Sequence, residues 1–185
     1  MNSIEIHTPL TDASVEALHS GDAVLISGIL YTARDAAHKR MVETLDRGGA
    51  LPMDLNGQVL FYAGPTPAKP GRPIGSIGPT TSGRMDAYTP RLLELGLKGV
   101  IGKGIRSEEI RKAMLSKRVV YFGAIGGAAA LLAQTVRKAD VVAYAHLGPE
   151  AVYRLEVYHF PALVVYDLHG GNLYREAMAK YGQLV

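Results

Sequence analysis

A layered α/β fold is predicted by three features of this sequence. Apolar, β-branched runs alternate with helical stretches, glycine and proline punctuate the junctions, and no repeat, low-complexity tract or linker interrupts the 185 residues. That length fits one domain with a real core, and residues 1–185 are read as a single unit. The first and last portions are rich in strands, so a mixed sheet is expected rather than a cleanly doubly wound one.

Each element has its own signal. DAVLISGILYT (22–32) is apolar and β-branched, a buried strand. ARDAAHKRMVETLDRG (33–48) follows as a helix, with Ala37, Met41 and Leu45 recurring every four residues until Gly48 and Gly49 stop it. QVLFYAG (58–64) is a second strand, and the prolines of PTPAKPGRPIG (65–75) forbid regular structure there. MDAYTPRLLELG (85–96) reads as a helix interrupted by proline, and KGVIGKG (98–104) as a short buried strand. Ser107 is a good N-cap for the helix over 107–117, whose early acids suit the helix dipole. A strand over 119–127, a small-residue helix over 128–136 and a strand over 140–146 continue the rhythm. Residues 153–172 read as a strand broken at Pro161, forming an antiparallel pair, before a last helix near 172–181.

Composition excludes several function classes. Hydrophobic residues make up 48% and charged residues 20%, as in ordinary globular proteins. The net charge of +3 is mild and no basic run gathers, which argues against nucleic acid and leaves room for a small acidic substrate. No stretch is apolar for the roughly 18 residues that a membrane span needs, and MNSIEIHTPLTD has no signal-peptide core, so a soluble cytoplasmic protein is expected. Cysteine is absent, which rules out a disulfide, a thiolate metal site and a cysteine nucleophile within the chain. The six histidines show neither HxH nor HExxH spacing, and no metal site is expected from this chain's residues.

Candidate chemistry gathers at three junctions that follow strands. In GPTTSGRMD (78–86), a Gly-Pro turn presents Thr80, Thr81 and Ser82 just ahead of Arg84. Helix-start N–H groups favour an anion there, and an arginine fork matches a carboxylate or phosphate. The bland reading is that the hydroxyls cap the following helix. YTARDAAHKR (31–40) places Arg34 directly after a strand, with His38 one turn on, and VIGKGIRS (100–107) sets Lys103 between glycines at a strand end. GAIGGAAA (123–130) lacks dinucleotide-binding spacing, so its glycines are read as close helix–sheet packing. Loops at strand ends converge in α/β folds, and together Arg34, Arg84 and Lys103 would neutralise a dicarboxylate. The residues alone lead to an anion site for a small polycarboxylate or phosphate.

GILYTARDAAHKRM, DLNGQVLFYAGP, GPTTSGRMD, GVIGKG and FPALVVYDLHGGN, in this order, resemble the β-subunit (or C-terminal domain) of class I fumarate hydratase and L-tartrate dehydratase over nearly the whole chain. The resemblance implies a swivelling β/β/α fold and a hydro-lyase active only with an α-subunit, whose cysteines carry a 4Fe-4S cluster acting as Lewis acid. It implies that Thr80 is the proton-abstracting residue and Lys103 an active-site lysine, and that Arg34 and Arg84 bind the substrate carboxylates. Thr81 and His38, in the same motifs, are expected among the substrate-binding residues. Fumarate hydration to L-malate is the expected reaction, tartrate dehydration the alternative, and a non-catalytic carboxylate-binding module the rival from another class. A site completed by a second chain must be open without it, so homodimers are expected of the isolated protein.

Overall fold

The computed structural model describes residues 3–182. In chain order the elements are β1 (Ile4–His7), α1 (Asp12–Glu16), β2 (Ala23–Thr32), α2 (Asp35–Asp46), β3 (Val59–Phe61), α3 (Thr89–Leu93), β4 (Gly99–Gly102), α4 (Glu108–Ser116), β5 (Val120–Gly123), α5 (Ala129–Gln134), β6 (Val136–Ala143), β7 (Val152–Tyr166) and α6 (Leu173–Tyr181). Two 3-10 turns, Ser82–Met85 and Ala145–Glu150, complete them. The strands form one mixed sheet in the order β1-β2-β3-β4-β5-β7-β6. β1 to β5 run parallel to their neighbours, and β7 runs antiparallel to β5 and β6. A further antiparallel pairing of β2 with β7 closes the run β2-β3-β4-β5-β7 on itself. The expected layered α/β fold with a mixed sheet is what forms.

Alternation along the short central strands divides the apolar residues between two cores. Val59 and Phe61 of β3, Ile101 of β4, and Val120 and Phe122 of β5 join Leu30 and Phe160 in one of them. Leu60, Val100 and Tyr121 point the other way, toward Met41 of α2, Leu92 of α3 and Ile110 and Met114 of α4. Strands buried on both faces read as continuous apolar runs, which is why they stand out in the sequence.

Several boundaries differ from expectation. β1 and α1 have no counterpart among the expected elements. Proline does not interrupt a helix over 85–96; Pro90 sits in the first turn of α3, where its missing N–H has no partner to lose. β5 ends at Gly123, and β6 starts four residues earlier than expected. β7 passes unbroken through Pro161. Val164 exchanges both backbone hydrogen bonds with the Gly21–Asp22 turn on the β2 side, so by strand alternation the Pro161 nitrogen faces the other edge. There β6 pairs only as far as Val157 and β5 only from Leu163, so no ladder bond is lost. The glycines at and after the end of β5 do not pack helix on sheet. Gly123 abuts Val165 of β7, Gly126 lies against the Lys103 side chain, and Gly127 has nothing near it and takes a positive φ of 88°. Among the described residues no helix is long and apolar enough to cross a membrane.

Candidate active site

Because β2, β3, β4 and β5 are parallel, their carboxyl ends share one edge of the sheet, and the three candidate loops leave from it. The GPTT stretch returns to this edge and pairs there. Thr80 N–H donates to the Tyr62 carbonyl at 2.7 Å, Lys103 N–H donates to the Thr80 carbonyl at 3.3 Å, and Ser82 N–H donates to the Lys103 carbonyl at 2.9 Å. Thr81 and Lys103 thus form a parallel bridge that extends β4 past its end. The loops after β3 and β4 become one short ribbon bearing Thr80, Thr81 and Lys103.

The hydroxyls are not helix caps. Thr81 occupies the N-cap position of the Ser82–Met85 turn, but its side chain makes no capping bond and is exposed. Thr80 Oγ1 accepts a hydrogen bond from Arg84 Nη2, one turn on. Ser82 is buried; its hydroxyl donates at 2.9 Å to the Tyr121 hydroxyl, which itself donates to the Gly104 carbonyl at 2.7 Å. Burial pushes the Tyr121 pKa up, against the pull of the Ser82 contact, so the phenol stays protonated. The three consecutive hydroxyls therefore do three different things.

Arg34 precedes α2 at its N-cap, and Asp35 opens the helix. The Asp35 carboxylate joins the two expected arginines, lying 3.1 Å from Arg84 Nη2 and 3.9 Å from Arg34 Nε. Glu150 approaches from the Ala145–Glu150 turn, with one oxygen 3.5 Å from Arg34 Nη2 and the other accepting the Ala36 N–H at 2.9 Å. This turn fits because residue 64 is glycine: a Cβ there would come within 2.2 Å of the Pro149 carbonyl oxygen. Arg84 uses only Nη2, so its Nε and Nη1 have no protein partner among the described residues. Both arginine side chains remain partly exposed, at 29% and 46%. Lys103 is exposed, has no acidic partner among the described residues, and lies beside the 124–128 loop.

His38 is placed differently from the others. It is wholly buried beneath the site, its Nδ1 donating to the Arg34 carbonyl at 2.9 Å and its ring meeting Tyr62 edge-on at 5.1 Å between centroids. Burial lowers its pKa to about 4; the bond to the Arg34 carbonyl opposes this, and the charge of Arg106 adds to it. The ring is neutral at ordinary pH and its Nε2 is buried without a partner. Its contact is with the backbone of Arg34, so it can orient that arginine but presents no face to solvent.

Sequence reasoning missed Asp35, Glu150, Asp86 and Arg106. Asp35 stood beside Arg34 and could have been noticed as a counter-charge; Asp86 and Arg106 stood inside two of the motifs, but only folding pairs them. Glu150 carried no local signal, since long-range contacts bring it in. Among the described residues no group of three or more His, Cys, Asp or Glu could hold a metal ion.

The family model described as fumarase C-terminus matches residues 1–177. A protein of Methanocaldococcus jannaschii with the provisional name L(+)-tartrate dehydratase subunit beta is 41% identical over 177 residues, 92% of this chain and 91% of that protein. The anaerobic class I fumarate hydratase of Escherichia coli K12 is 38% identical over 157 residues, 84% of this chain and 29% of that protein. Fumarate hydratase 2 of Leishmania major is 38% identical over 161 residues, 86% of this chain and 28% of that protein. The chain thus spans under a third of these two fumarate hydratases and nearly all of the archaeal subunit.

Proposed function

The chain belongs to the fumarase C-terminus family, and on that premise we propose that it is the single-domain β-subunit of a two-chain hydro-lyase acting on a four-carbon dicarboxylate, fumarate to L-malate in the primary reading. One observation carries this beyond family membership: a carboxylate, that of Asp35, already lies against Arg84 and beside Arg34, while Arg84 donates to the Thr80 hydroxyl. A substrate carboxylate entering here meets the unused Nε and Nη1 of Arg84 and the exposed side of Arg34, and its neighbouring carbon comes to Thr80.

The chain's own part in the reaction follows from these contacts. Arg34 and Arg84 hold the two carboxylates and orient the substrate. In the dehydration direction, Thr80 Oγ1, as the alkoxide, takes the proton from the carbon adjacent to the hydroxyl-bearing one. The C–H electron pair forms the double bond as the C–O bond breaks, and the departing hydroxide takes that proton back from Thr80 to leave as water. A threonine is a weak base, but a guanidinium donor on its oxygen stabilises the negative charge that proton abstraction requires. Lys103 adds a point charge from the same ribbon, Thr81 offers an exposed hydroxyl to the substrate, and His38 orients Arg34 from below. The donor set of this chain does not fit a 4Fe-4S cluster: it has no cysteine. We assign the cluster to an α-subunit that closes over this edge, and the pair to the cytoplasm.

Tartrate dehydration is the second reading, favoured by the match along 91% of the archaeal subunit. L-Malate and L-tartrate each present two carboxylates and a hydroxyl next to one of them, and tartrate adds a second hydroxyl. The test is to assay the chain alone and after mixing with a cluster-bearing α-subunit, on L-malate and on L-tartrate. Inactivity alone with malate turnover by the pair is expected. Turnover of tartrate only shifts the assignment, and inactivity of the loaded pair on both overturns the hydro-lyase reading.

A further inference from the structure

Behind the site, a third arginine is buried where no substrate reaches it. The Arg106 side chain is 0% exposed and its Nε donates to Asp86 Oδ1 at 2.5 Å. Nη2 donates to Thr89 Oγ1 at 2.7 Å, Nη1 to the Tyr62 hydroxyl at 3.4 Å, and the guanidinium carbon lies 5.4 Å from the Tyr62 ring centre. The other Asp86 oxygen accepts the Ser107 N–H at 2.9 Å, and the Arg106 N–H donates to the Tyr166 hydroxyl at 3.1 Å.

These contacts join the three parts of the site. Asp86 is two residues after Arg84, and Arg106 is three after Lys103. The Asp86 carboxylate therefore fastens the end of the threonine–arginine segment to the end of the lysine segment through both its oxygens. Tyr62, the third point of contact, accepts the Thr80 N–H through its carbonyl and packs against His38, which holds the Arg34 carbonyl. A buried charge is expensive unless paired and fully hydrogen-bonded, and a guanidinium can satisfy a carboxylate and two hydroxyls in fixed directions as an ammonium cannot.

We propose that Arg106, clasped to Asp86, is a positioning residue that fixes Thr80 and Arg84 relative to Lys103 and, through Tyr62 and His38, relative to Arg34. Its effect on turnover rests on the hydro-lyase reading; its effect on loop geometry does not. Two variants test it. Arg106→Lys keeps the charge and loses the fork, and Asp86→Asn keeps one acceptor for Arg106 while losing the oxygen that receives the Ser107 N–H.

In the isolated chain, backbone hydrogen exchange at Ser82, Lys103 and Ser107 should quicken on the order of tenfold in either variant, while Val100 and Phe122 in the central strands exchange as in the parent. In the reconstituted pair, kcat should fall on the order of 10- to 100-fold, the effect of displacing reacting groups by about an ångström, whereas Arg91→Lys, at an exposed ion pair, leaves it unchanged. Exchange that quickens equally everywhere, or full kcat in both variants, overturns the proposal. Local quickening in a chain whose parent pair turns over neither malate nor tartrate upholds the clasp and overturns the hydro-lyase reading alone.

Discussion

Thr80 and Thr81 are adjacent, yet only Thr80 shares its hydroxyl with an arginine. Thr80→Val removes that hydroxyl at nearly constant shape. If Thr80 abstracts the proton, kcat of the reconstituted pair should drop on the order of 10²-fold or more, with a much smaller change in KM because arginines hold the carboxylates. Arg84→Lys should mainly raise KM, since an ammonium keeps the charge and loses the fork. Steady-state kinetics on both variants separates the roles, and a fully active valine variant removes Thr80 from the chemistry. His38 makes a different prediction. Its folded pKa, about 4, lies below the ordinary 6.5, so under acid the unfolded chain takes up a proton that the folded chain refuses. Stability is therefore unaffected above pH 6.5 and lost as pH falls from there toward 4, by up to about 3 kcal/mol. Urea titrations at pH 7 and pH 5 should show a smaller loss in His38→Asn, whose amide can still donate to the Arg34 carbonyl.

At the scale of elements, the site exists because a loop is pressed onto the end of β4. Gly102, the last residue of that strand, leaves the room: a Cβ there would come within 1.9 Å of Ser82 Oγ and 3.2 Å of Tyr62 Cδ2. Gly102→Ala should push the Ser82 turn off the strand end, costing about 1–3 kcal/mol as other overpacked sites do and lowering kcat by more than that destabilisation explains. Chemical denaturation and kinetics of the same preparation check both halves. Gly102→Ala combined with Ser82→Gly frees the space and should recover part of the stability. Most of the elements were legible because parallel strands buried on both faces write themselves as apolar runs. β1, with only one buried residue in four, and the full course of β7 were not, because the ladder that tolerates Pro161 depends on where β5 and β6 stop.

For the whole molecule, the candidate edge is also where large apolar side chains stand in water. Ile105 is 68% exposed two residues after Lys103, and Ile125 is 66% exposed beside the glycine that meets the Lys103 side chain. Chains left without their partner should associate through this edge. Light scattering should give a mass above the 19.8 kDa of one chain, rising with concentration, and an equimolar α-subunit should abolish self-association. Ile105→Asp should favour the monomer and weaken pairing with the α-subunit together; monomers at every concentration sink this expectation. By itself the sequence determined the α/β class, the three motifs and the residue types suited to an anion, because strand runs and motif spacing are local properties of a chain. Only the tertiary structure decided that the threonines do not cap a helix, that His38 lies beneath the site, and that Asp35, Glu150, Asp86 and Arg106 set its charges. Those partners reach the site by chain reversal and strand pairing, and the burial and counter-charges that fix each group's chemistry arise only once distant segments are packed together.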